Sequence, residues 1–140
     1  MKTTDSKFCK CMYFSSAALA RKIEALACKS WAPVALSPAH GYVLLLTIDN
    51  PGIQPGEIAR ELQLKPSTIT RFIEKLEEKT LVIRTTSGKI TNVYPTPKGK
   101  EMYPQLKACM ADFYTRYATI LGPDNSADFV TKMNSVSDLL

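Results

Sequence analysis

The segment PGEIARELQLKPSTITRFIEKLEEKTLVIR, residues 55–84, contains two short helical patterns separated by only three or four residues. Pro55 opens the first and Pro66 the second, because proline is favoured at the first position of a helix. Apolar residues spaced three, four and seven positions apart predict one buried face on the second helix: Ile69, Phe72, Ile73 and Leu76. So short a link forces a sharp turn, and the second helix must pack across the first.

The next segment, RTTSGKITNVYPTPKGK, reads as a β-hairpin. Two strand-like runs flank the Ser87-Gly88 step, and Lys89 is the single cation beside it. A hairpin this short cannot bury a core of its own, so we expect it to pack on the preceding helices. Two helices across a tight turn followed by a hairpin make a winged helix-turn-helix, whose second helix suits the DNA major groove.

Helical periodicity also covers the rest of the chain. It predicts a first helix over about residues 7–29, a buried helix between Ser37 and Asn50, and a long helix over about 98–121, with a kink or late start at Pro104. A last amphipathic helix follows Gly122. The predicted fold is therefore mainly α with a small hairpin wing, and dimerisation helices at both ends. We assign residues 1–36 and 98–140 to dimerisation and 37–97 to DNA binding, in one compact domain.

The charge is unevenly distributed. Residues 1–53 carry a net charge of +3, residues 54–100 carry +4 and residues 101–140 carry −2, within a total of +5. Such a separation is typical of a chain in which one part binds a polyanion and another part packs. No apolar run is long enough to span a membrane, and the first residues lack the apolar core and A-x-A site of a signal peptide, so we expect a cytoplasmic protein.

The outward face of the second short helix is the candidate DNA-binding surface. It is poor in acids until Glu74, and its hydroxyl and cationic side chains suit phosphates and base edges. Arg71 can contact a guanine through two hydrogen bonds. The predicted contact residues on the helix are Lys65, Pro66, Ser67, Thr68, Thr70, Arg71 and Lys75, and those on the wing are Arg84, Lys89 and Asn92. The alternative is an ordinary solvated helix face.

These motifs, together with the TPKGKE that follows the hairpin, resemble the MarR (multiple antibiotic resistance regulator) family of bacterial repressors. The resemblance implies a homodimer that binds a pseudo-palindromic double-stranded operator and is released by a small-molecule effector or an oxidant. The chain departs from the family at Thr80, where a glycine is usual. It also lacks the usual aspartate and arginine at the wing tip, which leaves Lys89 there. We therefore expect a helix end that is either differently shaped or mildly strained, and wing contacts that are weaker or mostly to phosphate.

The N-terminal stretch FCKCMYFSSA resembles the OhrR-type peroxide sensors of this family, with Cys9 and Tyr13 as the candidate redox pair on one helical face. The alternative, which we favour, is that Cys9 and Cys11 are small apolar residues in a dimer interface. Cys28 and Cys109 are predicted to lie in the core. The cysteine spacing fits no zinc site, so we predict no metal and no cofactor.

Catalysis has little support in the sequence. The chain has one histidine, no glycine-rich phosphate loop and no carboxylate pair. Two other classes nevertheless stay open as alternatives to a DNA-binding regulator: a dimerisation module or subunit of an enzyme, and a winged-helix scaffold that binds only protein.

Overall fold

The structure is a computed structural model that describes all 140 residues. Seven α-helices and one hairpin follow in the order α1 Met12–Trp31, α2 Pro38–Asp49, α3 Pro55–Leu62, α4 Pro66–Glu78, β1 Val82–Ser87, β2 Ile90–Pro95, α5 Pro97–Glu101, α6 Tyr103–Leu121 and α7 Pro123–Leu139. Short 3₁₀ turns cover Thr3–Asp5 and Ala32–Val34. The mainly helical fold with a hairpin wing is confirmed.

The chain divides into two compact units. Residues 1–30 together with 110–140 form one, and residues 31–109 form the other. The boundaries predicted from the sequence, after residues 36 and 97, both fall inside the second unit. No single helix is long and apolar enough to cross a membrane; the bent pair Met12–Val34 and Pro38–Asp49 reaches that limit only when both helices are counted together.

Proline and hydroxyl residues start the helices where the sequence predicts. The Ser37 hydroxyl accepts a hydrogen bond from the backbone N–H of His40 at the start of α2, and the Thr96 hydroxyl accepts one from Gly99 at the start of α5. Proline occupies the first position in both helices, as it does in α3 and α4. Pro104 is the second residue of α6, and the predicted long helix is accordingly divided into α5 and α6 at Met102.

The core of the second unit lies among α2, α3, α4 and the hairpin. Its fully buried side chains come from all four elements: Leu44, Ile58, Ile69, Ile73, Leu76, Val82 and Val93. The inner face predicted for α4 is thus confirmed, with Phe72 partly buried against the same cluster. Each Å² of apolar surface removed from water stabilises the fold by about 25 cal/mol, so this shared cluster holds the helix-turn-helix and the wing together.

The hairpin is closed by a two-residue turn. Ser87 pairs with Ile90, so Gly88 and Lys89 form the tip rather than the Ser87-Gly88 step that the sequence predicts. Gly88 has φ of +63°, which glycine adopts without strain at the first position of such a turn. At the other end, Ile53 bridges to Val93, which extends the hairpin by one short backbone pairing.

Helix α1 begins later than predicted. Its first residue is Met12, whereas residues 7–10 form turns, with the N–H of Cys9 donating to the carbonyl of Ser6. The ring of Phe8 folds back onto Phe14, with 6.2 Å between the centroids, and this local packing replaces the first predicted helical turn.

Candidate nucleic-acid interface

Helices α3 and α4 are joined by residues 63–65, the short turn that the sequence predicts. Gln63 ends α3 in the left-handed conformation with φ of 54°, and its N–H donates to α3 carbonyls. The N–H of Leu64 then donates to the carbonyl of Ala59. These bonds hold the turn tight and fix the direction in which α4 leaves α3.

The outward face of α4 is exposed along its length. Exposed residues are Lys65, Pro66, Ser67, Thr70, Arg71 and Lys75, whereas Thr68 is half-buried. Arg71 makes no ion pair, and Lys65 makes no side-chain bond to the helix that it caps. Two cations without an ion pair, Lys65 and Arg71, therefore lie on the N-terminal half of α4, the end at which the helix dipole also favours an anion such as phosphate.

The acids of α4 lie in its second half, and two of them are paired. Lys75 Nζ lies 3.7 Å from Glu78 in an exposed pair, which is weak in water. Arg84 Nη2 lies 2.8 Å from Glu77 Oε1. The N-terminal half of the helix carries no acid, so with Lys65 and Arg71 its net charge is positive.

His40 packs against α4 from helix α2. Its ring centroid lies 4.4 Å from that of Phe72. Burial, followed by the charges of Lys75 and Lys79, lowers the pKa of His40 below its ordinary value. The imidazole is therefore neutral near pH 7, where it supports Phe72 by packing and adds no charge to the surface.

The C-terminal end of α4 is held in a strained conformation. Thr80 has φ of 60°, a left-handed value that β-branched residues rarely adopt. Of the two alternatives for this helix end, the structure has the strained one. Two side chains bind the freed carbonyls: Lys98 Nζ donates to Lys79 O at 3.1 Å, and the Thr96 hydroxyl donates to Thr80 O at 2.7 Å. Lys98 was not among the sequence candidates, because its contact with α4 depends on the path of the hairpin between them.

The wing residues point in different directions. Arg84 lies opposite Val93, which is fully buried, so both side chains project on the inner face of the hairpin. Asn92 lies on the other face and is half-buried. Lys89, at the tip, is exposed. Of the three predicted wing contacts, Lys89 alone is both exposed and outside any ion pair.

The geometry expected for a redox pair is absent. Cys9 lies in the turn before α1 and Tyr13 within the helix, so their four-residue spacing does not place them on one helical face. The Tyr13 side chain is 84% exposed, and the Ser15 hydroxyl donates to the backbone carbonyl of Cys9. The prediction that Cys28 is a core residue is also wrong, since it is exposed; Cys109 is buried as predicted.

An apolar groove of about 680 Å³ lies within the unit formed by residues 1–30 and 110–140. Its lining comes from α1, α6 and α7: Leu19, Ile23, Leu26, Phe113, Tyr117, Ile120, Leu121, Phe129, Val130 and Met133 are the apolar members. Helix α7 buries only Ser126 and leaves Phe129, Val130 and Met133 more than one third exposed. A continuous apolar surface of this kind is typical of an interaction face.

Two crossed helices, an exposed cationic helix face and a hairpin beside it define a winged helix-turn-helix protein. The comparison with known families agrees: the MarR family model matches residues 36–89. The matched segment begins just before α2 and ends in the turn of the hairpin, so it contains the whole helix-turn-helix.

The chain is also similar to individual regulators and to solved structures. The transcriptional repressor MdtR of Bacillus subtilis strain 168 is 27% identical over 107 residues, 74% of this chain and 69% of MdtR. The repressor CouR bound to a 23-mer DNA duplex has the same fold, with a TM-score of 0.83, 24% identity and 98% of each chain covered. CouR bound to p-coumaroyl-CoA aligns with a TM-score of 0.83 and 26% identity over 94% of this chain and 95% of that one.

Proposed function

We propose that this protein is a homodimeric, sequence-specific DNA-binding transcriptional regulator that acts in the cytoplasm as a repressor and is released by a small-molecule effector. The observation that carries the proposal is the exposed N-terminal half of α4, which has free cations and no acid. The relatives support the biological role, since MdtR is a repressor and CouR is a repressor that has been seen with DNA and with p-coumaroyl-CoA.

Helix α4 enters the major groove, and each contact has a chemical role. Arg71 donates two hydrogen bonds to a guanine, while Lys65 and Lys75 neutralise phosphates. Small hydroxyl side chains, with Pro66 beside them, allow close approach to the backbone: Ser67, Thr68 and Thr70. In the free protein the Thr70 hydroxyl donates to Pro66 O, and it can rotate toward DNA at the loss of that one bond.

A second copy of the chain covers the apolar groove formed by α1, α6 and α7. Dimerisation buries the exposed face of α7 and presents two α4 helices to the two halves of a pseudo-palindrome. The small-molecule effector acts by favouring a dimer geometry that no longer matches the spacing of the half-sites. An oxidant signal through Cys9 has no support from the geometry around that residue.

Arg71→Ala is expected to weaken binding to the cognate operator by about 1–3 kcal/mol and to relax the preference at one base pair, because a bidentate contact to guanine is lost. The operator is first selected from a randomised duplex pool with the parent protein, and single base-pair variants are then titrated by fluorescence anisotropy. Arg21→Ala, an exposed arginine on α1, is the matched control. An unchanged base preference would exclude Arg71 as a base-reading residue.

Lys89→Ala is expected to weaken binding to all sequences alike, because a lysine at the wing tip contacts phosphate without reading bases. The slope of log K against log salt should fall by roughly one unit. Lys132→Ala, which removes an exposed lysine from α7, should leave the slope as it is. A Lys89→Ala slope equal to that of the parent would remove this side chain from the interface.

The same titration separates the proposal from the two other classes. A DNA-binding regulator binds random duplex weakly and with a steep dependence on salt, since counterion release drives non-specific binding. An enzyme module or a scaffold for protein partners would bind no duplex even at low salt. That outcome would end the proposal.

A further inference from the structure

The Glu77–Arg84 ion pair joins the last turn of α4 to the first strand of the wing. Arg84 Nη2 lies 2.8 Å from Glu77 Oε1, and the two side chains are 33% and 31% exposed. It is the one ion pair that connects two different elements. The other two, Lys75–Glu78 and Arg116–Asp112, each lie within one helix.

The register of the hairpin directs Arg84 toward α4. Arg84 pairs with Val93 and Val82 pairs with Pro95, and all four side chains project on the inner face that covers the core. Val82 and Val93 are 1% and 0% exposed. An arginine on this face has its charged group at the edge of the core, where the carboxylate of Glu77 binds it.

We infer that Glu77 and Arg84 are positioning residues, which hold the wing at the angle to α4 that DNA binding requires. The inference rests on the proposed function, in which α4 and the wing contact neighbouring stretches of one duplex. It removes Arg84 from the predicted DNA contacts, because its guanidinium is already bound by a carboxylate. It also gives a role to Glu77, an acidic residue on the helix that is proposed to bind DNA.

The distinguishing feature is the sign of the effect at Glu77. Removing a negative charge close to DNA should strengthen binding if the charge only repels phosphate. Removing a residue that positions the wing should weaken binding. Glu74 provides the matched control, since it lies one turn earlier on α4, is exposed and has no ion pair.

Glu77→Gln is therefore expected to bind a duplex selected with the parent protein about 3- to 5-fold more weakly, whereas Glu74→Gln binds equally well or better. Arg84→Gln should weaken binding by a similar factor while the salt slope stays that of the parent, because no phosphate contact is lost. The double variant should be no weaker than either single variant, since one interaction is removed in all three.

Hydrogen exchange of the free protein gives a readout that does not depend on DNA. Backbone amides of residues 82–95 should exchange faster in Glu77→Gln and Arg84→Gln than in the parent, and at the parent rate in Glu74→Gln. Parent-like exchange in both variants of the pair would overturn the inference. A second pair of results would also overturn it: a salt slope reduced by about one unit in Arg84→Gln, and tighter binding by Glu77→Gln. These results would mean that Arg84 contacts a phosphate.

The two proposals fail in different ways. If the parent protein binds no duplex at low salt, the proposed function is wrong, yet the exchange data still decide whether the pair holds the wing. If the parent binds and Glu77→Gln behaves as Glu74→Gln does in both measurements, only the positioning role is wrong.

Discussion

Placing aspartates at Val130 and Met133 of α7 should convert the proposed dimer to a monomer. Both residues line the apolar groove and are more than one third exposed in the single chain, so their side chains are available to a second copy. Two carboxylates buried at such an interface without partners would oppose association strongly. Light scattering coupled to size exclusion should show half the parent mass.

The same Val130→Asp/Met133→Asp variant should bind the selected operator about 100-fold or more weakly, because a monomer loses the gain from contacting two half-sites at once. Thr131→Asp/Ser135→Asp is the matched control. It adds the same charge to the opposite side of α7, where both residues are exposed and do not line the groove. A dimer of unchanged mass in the groove variant would show that α7 does not carry the interface.

Gly99→Ala should destabilise the second unit by about 3 kcal/mol, because a Cβ there would overlap a backbone atom. The added carbon would meet the carbonyl oxygen of Leu81, and it would lie 3.4 Å from Leu44 Cδ1. A backbone carbonyl cannot rotate aside as a flexible side chain would. Leu81 O also accepts the N–H of Thr96, so any shift disturbs the bond that brings α5 to the end of α4.

Urea denaturation followed by circular dichroism measures this effect, with the midpoint lowered and the m-value unchanged. Gly56→Ala is the control: it makes the same substitution in α3, where an added Cβ meets nothing within 4 Å. It should be neutral or stabilise by up to about 1 kcal/mol, since alanine favours helix over glycine. Equal midpoints for both variants would show that the close approach at Gly99 is not structurally important.

The starts of four helices and the face of α4 were predictable because the controlling interactions are local. Pro55 and Pro66 need no long-range contact to start a helix, and Thr96 caps α5 through an N–H three residues away. The 3.6-residue period that buries Ile69 and Ile73 also directs Arg71 outward. Those residues carry most of the proposed DNA interface.

Predictions failed where a residue's surroundings depend on another element. Helix α1 starts at Met12, after a turn in which Phe8 packs back onto Phe14, and helical periodicity does not anticipate this contact. Cys28 was expected in the core but is exposed, as an apolar residue type does not determine which side of α1 faces a neighbour.

The sequence alone determined the helix-turn-helix, the wing and the cationic face of α4, since capping, periodicity and charge are properties of neighbouring residues. Which group Arg84 contacts depends instead on the tertiary structure. Its partner Glu77 is seven residues away, and the pair forms because the hairpin register turns Arg84 to the inner face while the core holds that face against α4. The contact depends on how two elements pack, and the local pattern of neither element contains that information.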